Sequence, residues 1–250
     1  MTRSRTRLEL ALGWLTFSSV LVALYLALVY APTEKTMGDV QRIFYFHVAS
    51  AWVGMFAFLI VFISSILYLK SGAANWDIYA SSSAEIGVIF TTIVLVTGPL
   101  WAKPIWQTWW TWDPRLTTTL IMWFLYLAYG RIRIAIDEEQ KRARFSAIYG
   151  ILAFTDVPIV FFAIRWWRTM HPGALVSSSG IGLAPTMKPA FFMSIIAFTL
   201  LYLYLMQKSV KVQQLKLQVK ELKEILFEST LSPNLTNTPL AVPTILKKNA

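Results

Sequence analysis

Residues 101–118 read WAKPIWQTWWTWDPRLTT, and the interpretation of this stretch decides the fold. It carries five of the eleven tryptophans of the chain, Trp101, Trp106, Trp109, Trp110 and Trp112, together with Lys103, Asp113 and Arg115. An apolar run flanks it on each side, residues 84–100 before it and 116–134 after it. An indole has a broad apolar face and one N–H donor, which suits a place half dry and half wet. Tryptophan belts anchor helix ends at the headgroup level of a membrane. Five tryptophans within twelve residues exceed what anchoring needs, and the excess points to a flat platform for a large planar ligand.

The rest of the chain agrees with a membrane setting. Of its 250 residues 56% are hydrophobic and only 14% charged, against roughly 25% charged in soluble domains. Six apolar runs follow one another, at about residues 8–30, 43–69, 84–100, 116–134, 145–164 and 190–206. A membrane-spanning helix needs about 17–25 such residues. The reading is therefore an all-α integral membrane protein with six transmembrane helices, its membrane domain covering residues 1–207. The N-terminal MTRSRTR followed by an apolar run resembles a signal peptide. The run is long enough to span and no small-residue cleavage site is evident, so it is read as a retained first helix. The absence of Cys excludes disulfides, thiolate ligands and Cys nucleophiles.

Lys and Arg orient the spans, because they collect on the cytoplasmic side. With both termini in the cytoplasm, 16 of the 23 Lys and Arg lie inside. The other seven, Lys35, Arg42, Lys103, Arg115, Arg165, Arg168 and Lys188, fall in outer loops at residues 31–42, 101–116 and 165–189. In a Gram-negative cell this is the inner membrane with the tryptophan loop toward the periplasm. The net charge of +10 is then mostly topological and calls for no nucleic-acid partner.

Within this frame a few polar residues stand out. His47 lies about one turn into the second helix, near its outer end. From position alone it reads as a surface or hydrogen-bonded residue at least as readily as a ligand. The third helix is expected to open at the run Ser81-Ser82-Ser83-Ala84-Glu85 and to stop at Thr97-Gly98-Pro99. Asp113 before Pro114 fits an N-cap followed by a first helical proline, alongside a ligand role. Arg115 follows in the first turn, where the helix dipole disfavours a cation, so a partner is expected in Asp113 or an external anion. Asp156, two residues before Pro158 in an apolar run, must be paired or protonated. Its expected partner is backbone freed by the proline, or a Thr or Trp of a neighbouring helix.

The third outer loop, RWWRTMHPGALVSSSGIGLAPTMK, holds Arg165, Trp166, Trp167, Arg168, Met170 and the second histidine, His171. Both histidines of the chain are thus expected on one side. Residues 177–185 are Gly- and Ser-rich and read as mobile or turn-forming. Beyond the sixth run, Val212, Leu215, Val219, Leu222 and Leu226 recur at spacings of three and four, which predicts a short cytoplasmic amphipathic helix over residues 208–228. Residues 229–250 are Pro-, Asn- and Thr-rich and are expected to be disordered.

No P-loop, HExxH or paired outer carboxylate occurs, so an enzymatic activity is not expected. Two His, many Trp, several Arg and Lys and no Cys on one face match haem. Haem iron takes axial nitrogen donors, the macrocycle takes apolar faces, and Arg pairs with propionates as with other carboxylates. Two His far apart in sequence fit a zinc site poorly.

These residues also carry a family resemblance. Thr97-Gly98, Trp101-Ala102-Lys103-Pro104, Trp106 and Trp109-Trp110-Thr111-Trp112-Asp113-Pro114-Arg115-Leu116-Thr117 resemble the WWD signature of haem-handling membrane proteins. Together with Phe44-Tyr45-Phe46-His47-Val48 and Trp166-Trp167-Arg168-Thr169-Met170-His171, the pattern is similar to the haem exporter protein C family, CcmC, of cytochrome c maturation system I, over residues 8–206. The chain departs from the family at Ala49, Ala102, Gln107 and Pro114, and its tail is longer. The resemblance implies haem b held at the periplasmic face. His47 and His171 would be the axial ligands, and the cradle would comprise Trp101, Trp106, Trp109, Trp110, Trp112, Asp113, Arg115 and Arg168. It implies delivery to the haem chaperone CcmE, and work beside the ATP-binding-cassette subunits CcmA and CcmB and the small protein CcmD. Two rival readings are a haem lyase of the same superfamily and a membrane transporter. Lyases are typically larger with more His, and a transporter path calls for more intramembrane ionisable residues than Asp156.

Overall fold

The computed structural model describes residues 2–173, 176–177 and 180–231. Among these the chain forms seven α-helices: α1 (Thr2–Tyr25), α2 (Ile43–Ser71), α3 (Ala74–Trp106), α4 (Pro114–Ala135), α5 (Glu139–Phe154), α6 (Asp156–Trp166) and α7 (Lys188–Leu231). Between α6 and α7 a two-residue strand β1 (Val176–Ser177) pairs antiparallel with β2 (Gly180–Ile181). The protein is an all-α membrane protein. Five described segments are long and apolar enough to cross a bilayer: Arg7–Tyr30, Asp39–Ser71, Ala74–Trp106, Glu139–Trp166 and Pro185–Phe227. The sixth expected span is α4, whose 22 residues reach roughly 33 Å at the usual helical rise. It is less apolar than the others because Arg115, three consecutive threonines, Arg131 and Arg133 lie on it.

Three features differ from the sequence reading. First, α3 neither opens at the serines nor stops at Pro99. It starts at Ala74 and continues through Pro99 and Pro104 to Trp106. An internal proline removes one backbone bond and kinks a helix; within a membrane protein the freed groups can be satisfied locally. Trp101 and Trp106 are therefore helical, and the loop proper is only residues 107–113. The serines instead serve packing: Ser83 Oγ donates to the Ala57 carbonyl (2.7 Å) and bonds the Tyr202 hydroxyl (2.8 Å), tying α2, α3 and α7 together. Second, the fifth span is broken into α5 and α6 at Thr155. Asp156 is buried there, and its Oδ2 has no hydrogen-bond partner among the described residues, so the expected partner is not found. Third, the amphipathic stripe is not a separate helix, because α7 carries both the last apolar run and Val212 to Leu226.

Residues 1–210 form one compact unit and a second begins at Lys211. In the second unit the five stripe residues are exposed, and Lys220 pairs with Glu224 at 3.9 Å. The expectation of disorder over residues 229–250 falls mostly on residues 232–250, outside those described. Of the Gly/Ser-rich stretch, residues 174–175 and 178–179 are likewise outside them.

Inside the first unit, lipid supplies no driving force for apolar burial, so helices must approach closely and fit. The widest such fit is α2 on α3. A side chain at Gly87 would stand 2.4 Å from the Phe58 ring, and one at Gly54 would stand 2.9 Å from Thr91 Oγ1. Phe58 stacks on Tyr126 of α4 with ring centroids 3.5 Å apart. At the far end of α4, Arg133 forks onto both oxygens of Asp77 in the first turn of α3, the second contact at 2.8 Å. At the opposite end, Ala27, Ala31, Phe44, Tyr45, Met187, Ala190 and Phe191 make a second core. This second core holds the first turn of α2, and with it the start of the candidate site.

Candidate functional site

His47 projects from the second turn of α2 and is 8% exposed. Its Nδ1 lies 2.9 Å from Thr97 Oγ1 on α3. The Trp101 ring meets the imidazole edge-on at 5.9 Å between centroids, and Trp101 is itself held edge-on by Phe44 at 5.9 Å. The ring of His47 is thus gripped by one hydroxyl and one indole, both from α3. The extension of α3 beyond Pro99 is what brings that indole here.

His171 follows α6 in the segment that leads to α7. Its backbone N–H donates to Thr169 Oγ1 at 3.0 Å, a local turn that sets the ring's direction. Its Nδ1 lies 3.0 Å from the carbonyl of Pro172. Burial, and after it the Arg115 charge, hold the His171 pKa below the ordinary imidazole value, while the Pro172 carbonyl and Asp113 oppose this. The neutral ring, the form able to donate a lone pair to a metal, is therefore favoured.

Both histidines line a single cavity, 124 residues apart in sequence though they are. The cavity they share has a volume of about 180 Å³. Trp101, Trp106, Trp110, Arg115 and Met170 share the upper wall with them. The lower wall is mostly apolar and descends through Ala51 and Met55 on α2, Thr91, Val94 and Leu95 on α3, Thr119 and Met122 on α4 and Val160 on α6. The sequence reading missed this lower lobe. Its signal was present in His47, Ala51 and Met55, which recur every four residues on one helical face.

The other expected site residues stand elsewhere. Trp109 and Trp112 are 55% and 76% exposed and do not line the cavity. Lys103 reaches the Gln107 carbonyl (3.1 Å) and lies over the Trp109 ring (5.8 Å). Asp113 caps α4, its Oδ1 accepting from the Leu116 N–H at 3.1 Å, with Pro114 in the first turn. Arg168 is exposed and outside the lining. Arg115 is the cation that does line it. Among the described residues its guanidinium has no ion pair or side-chain hydrogen bond.

The donor set fits a porphyrin. Two imidazoles face one space. The Trp101 and Trp110 indole N–H groups are buried without a partner among the described residues, and both residues line that space. An unpaired guanidinium accompanies them. Buried donors of this kind are normally satisfied, and the carboxylates of a porphyrin are acceptors of the kind they lack. The described residues hold no group of three or more His, Asp or Glu able to cage a metal. Two imidazoles at one cavity suit an iron whose other four ligands come with the macrocycle.

Comparison with known proteins agrees. The chain is 32% identical to the Heme exporter protein C of Bradyrhizobium diazoefficiens over 216 residues, covering 85% of this chain and 82% of that protein. It is 34% identical to the Heme exporter protein C of Escherichia coli K12 over 195 residues (75% and 77% of the two chains). To that of Haemophilus influenzae it is 31% identical over 209 residues (83% and 85%). Residues 1–224 match the family described as Heme exporter protein C, CcmC, and the chain belongs to that family.

Proposed function

We propose that this protein holds haem b at the outer, periplasmic face of a bacterial inner membrane and passes it to the haem chaperone CcmE during c-type cytochrome maturation. Haem handling in cytochrome c maturation, without enzymatic turnover, is what family membership supports. The single observation that carries the finer reading is the convergence of His47 and His171 on one cavity beside Arg115 and two unpartnered indole N–H groups. In this reading the imidazoles of His47 and His171 would hold the iron. Arg115 and the Trp101 and Trp110 N–H groups meet the propionates, and Trp106 packs on the macrocycle. The apolar lower lobe takes the hydrocarbon edge and keeps water from the iron.

The exposed Trp109, Trp112, Trp166 and Trp167 would then form the rim against which the chaperone docks. CcmA, CcmB and CcmD are the expected membrane partners, as members of the same exporter system. Loading the purified protein with haem and mixing it with CcmE tests the assignment: haem should leave the wild type for the chaperone. A double His47→Ala/His171→Ala variant should hold little haem and load no chaperone, while still inserting in the membrane.

A further inference from the structure

Both histidines are set in the same tautomer, and a residue outside the tryptophan stretch sets one of them. Thr97 has a single hydroxyl proton. Its Oγ1 lies 2.7 Å from the Ile93 carbonyl oxygen. Two oxygens at that distance repel unless a proton sits between them, so the Thr97 hydroxyl donates to Ile93, one helical turn back. What remains toward His47, at 2.9 Å, is a lone pair. A lone pair can only accept, so Nδ1 of His47 carries the ring proton. His171 arrives at the same state independently: its Nδ1 faces the Pro172 carbonyl, which can only accept. No hydrogen bond to Nε2 of either ring is found among the described residues.

We infer that Thr97 is a positioning residue that holds His47 as the Nδ1–H tautomer, leaving its Nε2 bare toward the cavity to match the bare Nε2 of His171. This deepens the haem reading and rests on it for its purpose, though not for its geometry. Outer hydrogen bonds of this kind fix ligand tautomer and ring direction in metal sites and raise ligand basicity. Here both acceptors are uncharged, a hydroxyl and a carbonyl, so both rings stay neutral donors without the added basicity that a carboxylate confers.

The chain has only two histidines, so the test is clean. Full-length, haem-free protein labelled with 15N-histidine is compared with Thr97→Val and Thr97→Ser by long-range proton–nitrogen correlation above pH 7.5. Wild type should show both rings protonated on Nδ1. Thr97→Val, close in shape but with no acceptor, should shift the His47 ring toward an Nε2–H mixture and leave His171 unmoved. Thr97→Ser should restore the wild-type pattern. In haem titrations Thr97→Val should bind roughly tenfold more weakly. A wild-type His47 protonated on Nε2, or a Thr97→Val spectrum identical to wild type, overturns the inference whatever the titration shows. The expected tautomers with no response of either ring to haem would contradict the haem reading and leave the Thr97 assignment standing.

Discussion

The guanidinium of Arg42 donates to the backbone carbonyl of Ala27 at 2.8 Å. It reaches Ala31 as well, at 3.1 Å, and pairs with Asp39, also at 3.1 Å. The first span ends in a π-helical turn, Leu26–Tyr30, whose Leu26 carbonyl accepts from the Ala31 N–H, and Arg42, at the start of α2, donates to the Ala27 carbonyl within the turn and to that of Ala31 just beyond it. Arg42 is thus committed to the fold, whereas Arg115 lines the cavity with no ion pair or side-chain hydrogen bond among the described residues. The two arginines should part company on substitution. Arg42→Gln should lower thermal stability in detergent by about 1–3 kcal/mol, the usual worth of a charged hydrogen bond, and leave haem affinity near wild type. Arg115→Gln should weaken haem binding about tenfold or more with little change in melting. Equal haem affinity for Arg115→Gln and wild type would remove it as a propionate partner.

The tryptophans divide in the same manner. Trp110→Phe keeps a ring but deletes the buried N–H, so haem retention should fall; Trp112→Phe, at a position 76% exposed, should retain haem as the wild type does. Aromatic contacts contribute about 0.5–1.5 kcal/mol each beyond area, which sets a several-fold expectation for Trp110→Ala. Haem content after gel filtration reads both. If Trp112→Phe lost more haem than Trp110→Phe, the cavity wall would be wrongly assigned.

Acid should empty the site. The His171 pKa lies below the ordinary imidazole value because burial and Arg115 disfavour its charged form. A ring whose folded pKa is lowered is neutral at pH 7, and protons compete for its lone pair only as pH falls through that lowered value. Haem affinity should therefore be flat from pH 8 to about 6.5, the unperturbed value, and decline below it. By the same sign, the contribution of His171 to folding is complete above the unperturbed value and is lost as pH falls beneath it. A decline centred near pH 8 in a haem titration would contradict this.

Orientation is open to a simple chemical test, because the chain has no cysteine. Single cysteines at Thr36 and at Asp137 should react oppositely with a membrane-impermeant maleimide in intact cells. Thr36 should label from the periplasm and Asp137 only after lysis. The reverse pattern would turn the site toward the cytoplasm.

Much of this was legible in the sequence. The six apolar runs located every span, and Asp113-Pro114 announced its cap because capping chemistry is local. What escaped were outcomes of tertiary contact. Pro99 looked like a stop, yet α3 continues because a helix packed among helices tolerates the loss of one backbone bond. That continuation turned the Trp101 ring onto His47, a contact no local rule foresees. Of the tryptophans, Trp101, Trp106 and Trp110 line the cavity while Trp109 and Trp112 face outward; composition treats all five alike. In the sequence Thr97 reads as part of a terminator and of the WWD-like stretch, but its bearing on His47 does not show there, since it depends on a histidine fifty residues away. Asp156 was expected to find a partner, and among the described residues it has none at Oδ2.

The most direct test of the central claim is the absorption spectrum of haem-loaded protein beside its two single-histidine variants. The wild type should give a six-coordinate Soret and visible spectrum. His47→Ala and His171→Ala should each change it, since one axial position opens or takes water, and added imidazole should partly restore the bands. A spectrum unchanged in either variant would show that the residue replaced is not an iron ligand, and the pairing of His47 with His171 across one haem would be refuted.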